Sequence, residues 1–166
     1  NSCMIRESAE NRVYGLINNL KKKKIVVTGC VVTGLGKKKL EAKLGKKIKL
    51  IASSDFGFGI KPLRDKGGAA LVPISNGCDN FCSYCIVPYA RGREKSRKLE
   101  KIIKEVEQII KDGFNEIVLI GQNVNSYGKD INTSFPVLLD KIAKTGIGKI
   151  SFVSSNPWDF SDQLIA

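Results

Sequence analysis

Apolar residues along the chain recur first at helical and then at strand spacing, and the two rhythms alternate. Ile5, Ala9, Val13, Leu16, Ile17 and Leu20 follow one another mostly at three- and four-residue steps, which predicts an amphipathic helix over Ile5–Leu20. Lys21 to Lys24 close it with cations at the negative end of the helix dipole, and the β-branched run Ile25–Thr28 predicts a short strand entering Gly29 and Cys30. A weaker helix is expected over Lys37–Leu44 and a strand over Ile48–Ala52, making a small alternating α/β unit.

The rhythm breaks over Ser53–Gly68, where Gly57, Gly59, Pro62, Gly67 and Gly68 fall without periodicity, the pattern of a linker between domains. Strands are then expected at Ala69–Ile74, Glu116–Ile120 and Lys149–Val153, with a loop running through Arg97. Helices are expected at Lys98–Lys111, capped near Ser96 or Arg97 and ended by Gly113, and at Phe135–Lys144, with Ser134 as N-cap and Gly146 as stop. Ser161 reads as the cap of one more helix. Strands alternating with helices imply a parallel sheet joined by right-handed crossovers.

Composition narrows the class. The 166 residues include 28 Lys plus Arg against 16 Asp plus Glu, a net charge of +12, and 42% are hydrophobic, enough for a core and too much for a disordered or fibrous chain. No apolar run approaches the roughly 18 residues of a membrane span, and Asn1–Glu10 lacks the features of a secretory signal. The expectation is a soluble, cytoplasmic protein. The only Met is Met4 and Ala166 falls in what reads as a first helical turn, so the chain is expected to be a piece of a longer protein. With no His, imidazole general-base chemistry is excluded and any metal site must lean on Cys, Asp and Glu.

Five Cys cannot all pair within one chain, and a lysine-rich chain without a signal does not suit a disulfide scaffold. Cys78, Cys82 and Cys85 stand at C-x3-C-x2-C spacing directly after a predicted strand, while Cys3 and Cys30 stand apart. Three thiolates so spaced can converge on an iron-sulfur cube, serving three irons and leaving the fourth open to an outside ligand. A structural zinc site would need a fourth ligand, which only Cys3 or Cys30 could supply. Polar, loop-forming clusters also follow the next two strands, at Gly121-Gln-Asn-Val-Asn-Ser-Tyr-Gly and Ser154-Ser-Asn-Pro, so three consecutive strand ends would share one rim.

The C-x3-C-x2-C spacing, with Tyr84 before the last Cys, resembles the signature of the radical S-adenosylmethionine (SAM) superfamily. The wider runs Ile74-Ser-Asn-Gly-Cys-Asp-Asn-Phe-Cys-Ser-Tyr-Cys-Ile-Val-Pro-Tyr-Ala-Arg-Gly-Arg and Glu116-Ile-Val-Leu-Ile-Gly-Gln-Asn-Val-Asn-Ser-Tyr-Gly resemble the methylthiotransferase family within it, and its tRNA branch in particular. Asn1-Ser-Cys-Met-Ile-Arg-Glu-Ser-Ala-Glu and Ile25-Val-Val-Thr-Gly-Cys are similar to the second and third cysteine segments of that family's N-terminal domain.

The resemblance implies a fold: a small N-terminal α/β (Rossmann-like) methylthiotransferase domain whose rear occupies residues 1–56, a linker at 57–67, and the first half of a radical-SAM partial (β/α) barrel at 68–166. It implies two 4Fe-4S clusters. Cys78, Cys82 and Cys85 would hold the one that binds SAM, while Cys3 and Cys30 would hold an auxiliary cluster with a third Cys expected upstream. Tyr84 would lie beside the SAM adenine, with Gln122, Asn123 and Ser154 as SAM-side candidates. Gly121-Gln122-Asn123 replaces the superfamily's common Gly-Gly-Glu, so an amide would take the place of a carboxylate.

The implied reaction is methylthiolation of C2 of an N6-isopentenyl-adenosine at position thirty-seven of a tRNA anticodon loop. One SAM supplies the methyl, the other the radical that removes hydrogen, and an electron donor such as flavodoxin or ferredoxin is implied, with a monomeric enzyme and no membrane. Arg91, Arg93, Lys95 and Arg97, which follow the Cys loop, suit either the phosphates of a tRNA partner or the SAM carboxylate. The alternatives are the ribosomal-protein branch of the family, which methylthiolates an aspartate, and a zinc-bound nucleic-acid module without catalysis.

Overall fold

The computed structural model describes residues 7–20, 23–45, 48–52, 58, 62–64 and 67–165. The chain divides into two compact units, Asn1–Ile60 with Asn80–Gly92, and Lys61–Asp79 with Arg93–Ala166.

In the first unit α1 (Glu7–Asn19) is followed by β1 (Val26–Gly29), α2 (Cys30–Leu35), α3 (Lys37–Leu44) and β2 (Lys49–Ala52), with α4 (Val87–Arg91) from the second segment. β1 and β2 pair in parallel, Val26 opposite Lys49 and Gly29 opposite Ala52. Val27, Val31, Val32, Leu40 and Ala52 form the buried centre, and α1 contributes Val13, Tyr14 and Ile17 to its margin. The apolar stripe of α1 thus faces this core as its spacing predicts, although Leu16 and Leu20 stay exposed. α2 is an addition to the sequence reading. Its Cys-Val-Val-Thr-Gly-Leu run is too short to show a helical period, and burial of Cys30, Val31 and Val32 is what fixes it.

The second unit is built on a three-stranded parallel sheet in the order β3 (Ala70–Pro73), β6 (Glu116–Ile120), β7 (Lys149–Phe152). Ala70 lies opposite Ile117 and Glu116 opposite Lys149. α5 (Leu99–Lys111) and α6 (Phe135–Ala143) provide the crossovers, and a last turn of helix, α7 (Asp162–Ile165), follows Ser161. Ile102, Val106 and Ile109 of α5 and Phe135, Leu138 and Ile142 of α6 are buried with Val72, Ile117 and Leu119 of the sheet. Residues three and four apart on each helix thereby meet alternate residues on each strand. Truncating any one of these isoleucines or leucines to Ala would cost about 2–5 kcal/mol.

The helix ends differ in detail from expectation. Lys98, not Ser96 or Arg97, is the N-cap of α5, and it makes no side-chain capping bond. Ser96 is drawn away by pairing in the two-residue strand β5 (Lys95–Ser96), and Arg97 by a largely buried ion pair with Glu105. Ser134 is the N-cap of α6 without a capping bond from its hydroxyl. Gly113 does end α5, in the left-handed region at φ 89°, with its N–H and that of Phe114 returned to the carbonyls of Ile110 and Ile109.

Candidate functional site: the cysteine excursion and the strand ends

Because β3, β6 and β7 are parallel and adjacent, their C-terminal ends share one edge of the sheet. β3 leads through Ile74 into β4 (Ser75–Asn76) and Cys78, β6 into Gly121-Gln122-Asn123, and β7 into Ser154. Ligands of open parallel sheets bind at such carboxyl edges.

The segment carrying the cysteines is closed at its base. β4 pairs antiparallel with β5 (Lys95–Ser96), Ser75 opposite Ser96 and Asn76 opposite Lys95. Above this ladder the Asp79 carboxylate accepts the N–H of Glu94 at 3.0 Å and meets Arg93 Nε at 3.1 Å. The returning strand is fastened to the loop after β6: Gly128 N–H donates to Ser96 Oγ, Ser96 N–H to Asp130, and the Tyr127 hydroxyl to the Arg97 carbonyl at 2.8 Å. Ser126 Oγ donates to the Glu94 carboxylate. Burial, then the nearby Asp130 and Asp79 charges, push the Glu94 carboxyl above its ordinary value, against the Ser126 bond. Burial also pushes the Tyr127 phenol up to about 12.

The sequence predicts a plain loop here, because two-residue strands carry no period. Its pinning residues, Ser96, Ser126 and Tyr127, are ordinary types whose role depends on tertiary position. Only the Asn-Ser-Tyr-Gly run after a strand hinted at them.

The site residues expected from sequence fall into place unequally. Cys78 is buried in the second unit, beyond Gly77 at φ 82°, whereas Cys82 and Cys85 are half-buried and belong to the first. Cys85 N–H donates to the Cys82 carbonyl at 2.9 Å, so these two share one turn. Phe81 before them takes φ 45°, a left-handed backbone rare for an aromatic residue, and its ring meets Tyr89 edge-on at 5.9 Å. Tyr84 is exposed, and the Cys82 thiol hydrogen-bonded to its hydroxyl is the main cause that raises its pKa. Cys30 is the first residue of α2 and buried. Cys3 lies outside the described residues.

Gln122 Oε1 accepts the Gly77 N–H at 2.7 Å, and Gly121 packs so tightly that a Cβ there would stand 2.7 Å from Ser75 Oγ. Asn123 is buried, its amide nitrogen donating to Asp159, while Ser154 sits exposed at φ 68° with its carbonyl accepting from Val124. Of the four basic residues after the cysteines, Arg97 is committed elsewhere. Its Nη1 pairs with Glu105 and also donates to the Pro73 carbonyl.

Among the described residues no group of three or more Cys, Asp or Glu side chains stands close enough to hold a single metal ion. Cys30, Cys78, Cys82 and Cys85 are present as thiols. Soft thiolate donors, with no imidazole in the chain, suit iron-sulfur ligation in their chemistry.

Residues 72–165, from β3 to α7, match the Radical SAM superfamily. The chain belongs to that superfamily. Radical SAM membership brings with it a 4Fe-4S cluster and SAM, and the parallel α/β sheet of the second unit is consistent with it. The chain is also 42% identical to a tRNA-2-methylthio-N(6)-dimethylallyladenosine synthase of Caldicellulosiruptor saccharolyticus, over 99% of the chain and 43% of that protein. Proteins of the same name from Clostridium perfringens and Staphylococcus epidermidis are 38% and 37% identical, over 99% of the chain and 45% and 40% of their own lengths. The chain therefore spans less than half the length of these relatives.

Proposed function

We propose that the chain is part of a radical SAM tRNA methylthiotransferase that places a methylthio group on C2 of N6-isopentenyl-adenosine at position thirty-seven of the anticodon loop. The observation that carries this is the reach of the similarity. It covers 99% of the chain, including the residues ahead of 72 that lie outside the superfamily match. A shared radical SAM core alone would not extend there.

In this reading residues 1–56 are the rear of a Rossmann-like N-terminal domain, 57–67 a linker, and 68–166 the first half of a partial barrel. Cys78, Cys82 and Cys85 ligate three irons of one cluster, and Cys3 and Cys30 ligate a second. A cluster held by Cys78, Cys82 and Cys85 would, with SAM bound, supply the radical chemistry that removes the C2 hydrogen. The chain's own part is positional. Gln122 fixes the turn before Cys78, the β4–β5 neck holds both ends of the cysteine segment, and Tyr84 offers an exposed ring beside Cys82 and Cys85 for the SAM adenine. The Asn123 amide nitrogen is engaged with Asp159 while its amide oxygen has no hydrogen-bond partner among the described residues, so Asn123 Oδ1, Gln122 Nε2 and the Ser154 hydroxyl are the groups for the methionine end of SAM. The enzyme is cytoplasmic and monomeric, fed by an electron donor such as flavodoxin or ferredoxin. No helix among the described residues is long and apolar enough to cross a membrane.

Mass spectrometry of tRNA nucleosides from a strain lacking the gene tests the substrate, with loss of 2-methylthio-adenosine expected and an unchanged level overturning it. Anaerobic reconstitution followed by iron and acid-labile sulfide analysis tests the cofactor. Bound zinc without sulfide would replace this reading with a non-catalytic nucleic-acid module.

A further inference from the structure

Ser126, on the loop after β6, places its Oγ 2.7 and 2.6 Å from the two carboxyl oxygens of Glu94 and 2.9 Å from the carbonyl oxygen of Asn123. Three acceptor oxygens thus surround a hydroxyl that has a single hydrogen. With Glu94 ionised, that hydrogen serves either the carboxylate or the Asn123 carbonyl. The other contact then sets oxygen lone pairs against each other at a side chain that is only 2% exposed. With Glu94 protonated the contacts resolve into a chain: the Glu94 O–H donates to Ser126 Oγ, and the Ser126 O–H donates to the Asn123 carbonyl. Glu94, Asn123 and Ser126, together with Asp79 and Asp130, all belong to the second unit.

The surroundings of Glu94 act in the same direction. Burial is the largest cause that pushes its carboxyl above the ordinary value of 4.5, and two negative charges add to it, Asp130 from the loop after β6 and Asp79 from the outgoing side of the neck. The nearby cations offset this only in part: Lys129 lowers the value but is paired with Asp159, Arg93 is paired with Asp79, and Lys95, next in the chain, is exposed. We propose that Glu94 is a proton-dependent clasp: its neutral carboxyl, donating to Ser126, fastens the returning limb of the cysteine excursion to the loop after β6, and release of the proton to solvent slackens the neck. Glu94 is in this sense a positioning residue, and the clasp acts on the neck itself, whatever the cysteines hold.

Backbone hydrogen exchange of the whole chain, followed by NMR from about pH 4 to about pH 8, tests the clasp, each rate being divided by that of an unprotected amide at the same pH. Arg97 N–H, bonded to the Ile74 carbonyl, and Gly128 N–H, bonded to Ser96 Oγ, report on the neck through acceptors that do not titrate. Protection at both is expected to fall about tenfold per pH unit from the ordinary value of 4.5 up to the midpoint of the folded carboxyl, and to level off above it. Glu94→Gln, whose amide N–H replaces the carboxyl O–H as donor to Ser126, is expected to keep the parent's acid-end protection at every pH. Glu94→Ala is expected to be weakly protected throughout. Should a variant fail to melt cooperatively, the carboxyl carbon resonance of Glu94 in the parent decides: its midpoint should lie above 4.5 and coincide with the levelling of protection. Protection independent of pH in the parent overturns the proposal. So does a decline that persists in Glu94→Gln, which would lie with Asp79 or Asp130, and so does a Gln variant protected no better than the Ala variant.

Discussion

Gln122 Oε1 accepts a hydrogen bond from the backbone N–H of Gly77 at 2.7 Å, so the residue that follows the β6 strand end holds the turn immediately before Cys78. Gly77 is buried, and without this acceptor its N–H has no substitute in reach of water.

Gln122→Leu should therefore cost about 1–3 kcal/mol, the price of one buried unsatisfied donor, whereas Gln122→Glu keeps an acceptor oxygen. Amide hydrogen exchange at Gly77 is the direct reading. Exchange should quicken in the Leu variant and stay slow in the Glu variant; equal rates in both would sever the link between the two loops.

Glu105 on α5 holds two arginines, Arg64 and Arg97, and all three side chains are close to fully buried. Removing the shared carboxylate strands two guanidinium groups in a poorly hydrated place. Glu105→Ala should lower stability by about 3–5 kcal/mol, measured by urea unfolding. Glu105→Gln, which keeps the volume and one acceptor, should cost less. A loss below about 1 kcal/mol for the alanine variant, the range of a solvated pair, would show that the cluster is not desolvated.

Tyr127 gives a pH signature. In the unfolded chain its phenol ionises near 10, and in the fold burial holds the proton to about 12. Between these values the folded state binds more protons, so stability falls as pH rises from 10 to 12, while below 10 this group contributes no slope. Tyr127→Phe should flatten that part of a stability-against-pH curve. Near neutrality it should cost about 1 kcal/mol for the lost bond to the Arg97 carbonyl. A wild-type curve with no alkaline slope beyond that of the variant would refute the assignment.

Gly128 lies at φ 92°, and a Cβ there would come within 2.6 Å of the Thr133 carbonyl carbon and oxygen. Backbone atoms cannot step aside as a flexible side chain can. Gly128→Ala should cost about 1–3 kcal/mol and, because Gly128 N–H donates to Ser96 Oγ, should loosen β5 as well. Thermal unfolding together with exchange at Ser96 would show both effects. A variant as stable as the parent would exclude strain at this position.

The contrast between α5 and the neck shows what sequence alone can reveal. Leu99, Ile102, Ile103, Val106, Ile109 and Ile110 span three turns, so their period shows through, and the helix, its buried face and the closing Gly113 could all be read before any coordinates. The strands β3, β6 and β7 were equally legible as apolar runs, and parallel order followed from their alternation with helices. The pairing of Ser75 with Ser96 left no trace in composition, because two-residue ladders are decided by which backbone groups tertiary contacts bring together. Among the candidate site residues, the cysteine spacing was visible because few residue types offer a soft thiolate donor. The use of Gln122 as a brace for Gly77, and of Arg97 as an internal counter-ion, was not, since both depend on which neighbour the fold delivers.

The β4–β5 ladder has an engineering consequence. Asn76 and Lys95 are paired residues, so the chain that departs at one re-enters at the other within a single rung. Inside that rung Gly77 is held by Gln122 and Glu94 by Ser126, so a graft of different length that keeps these two residues meets the same anchors.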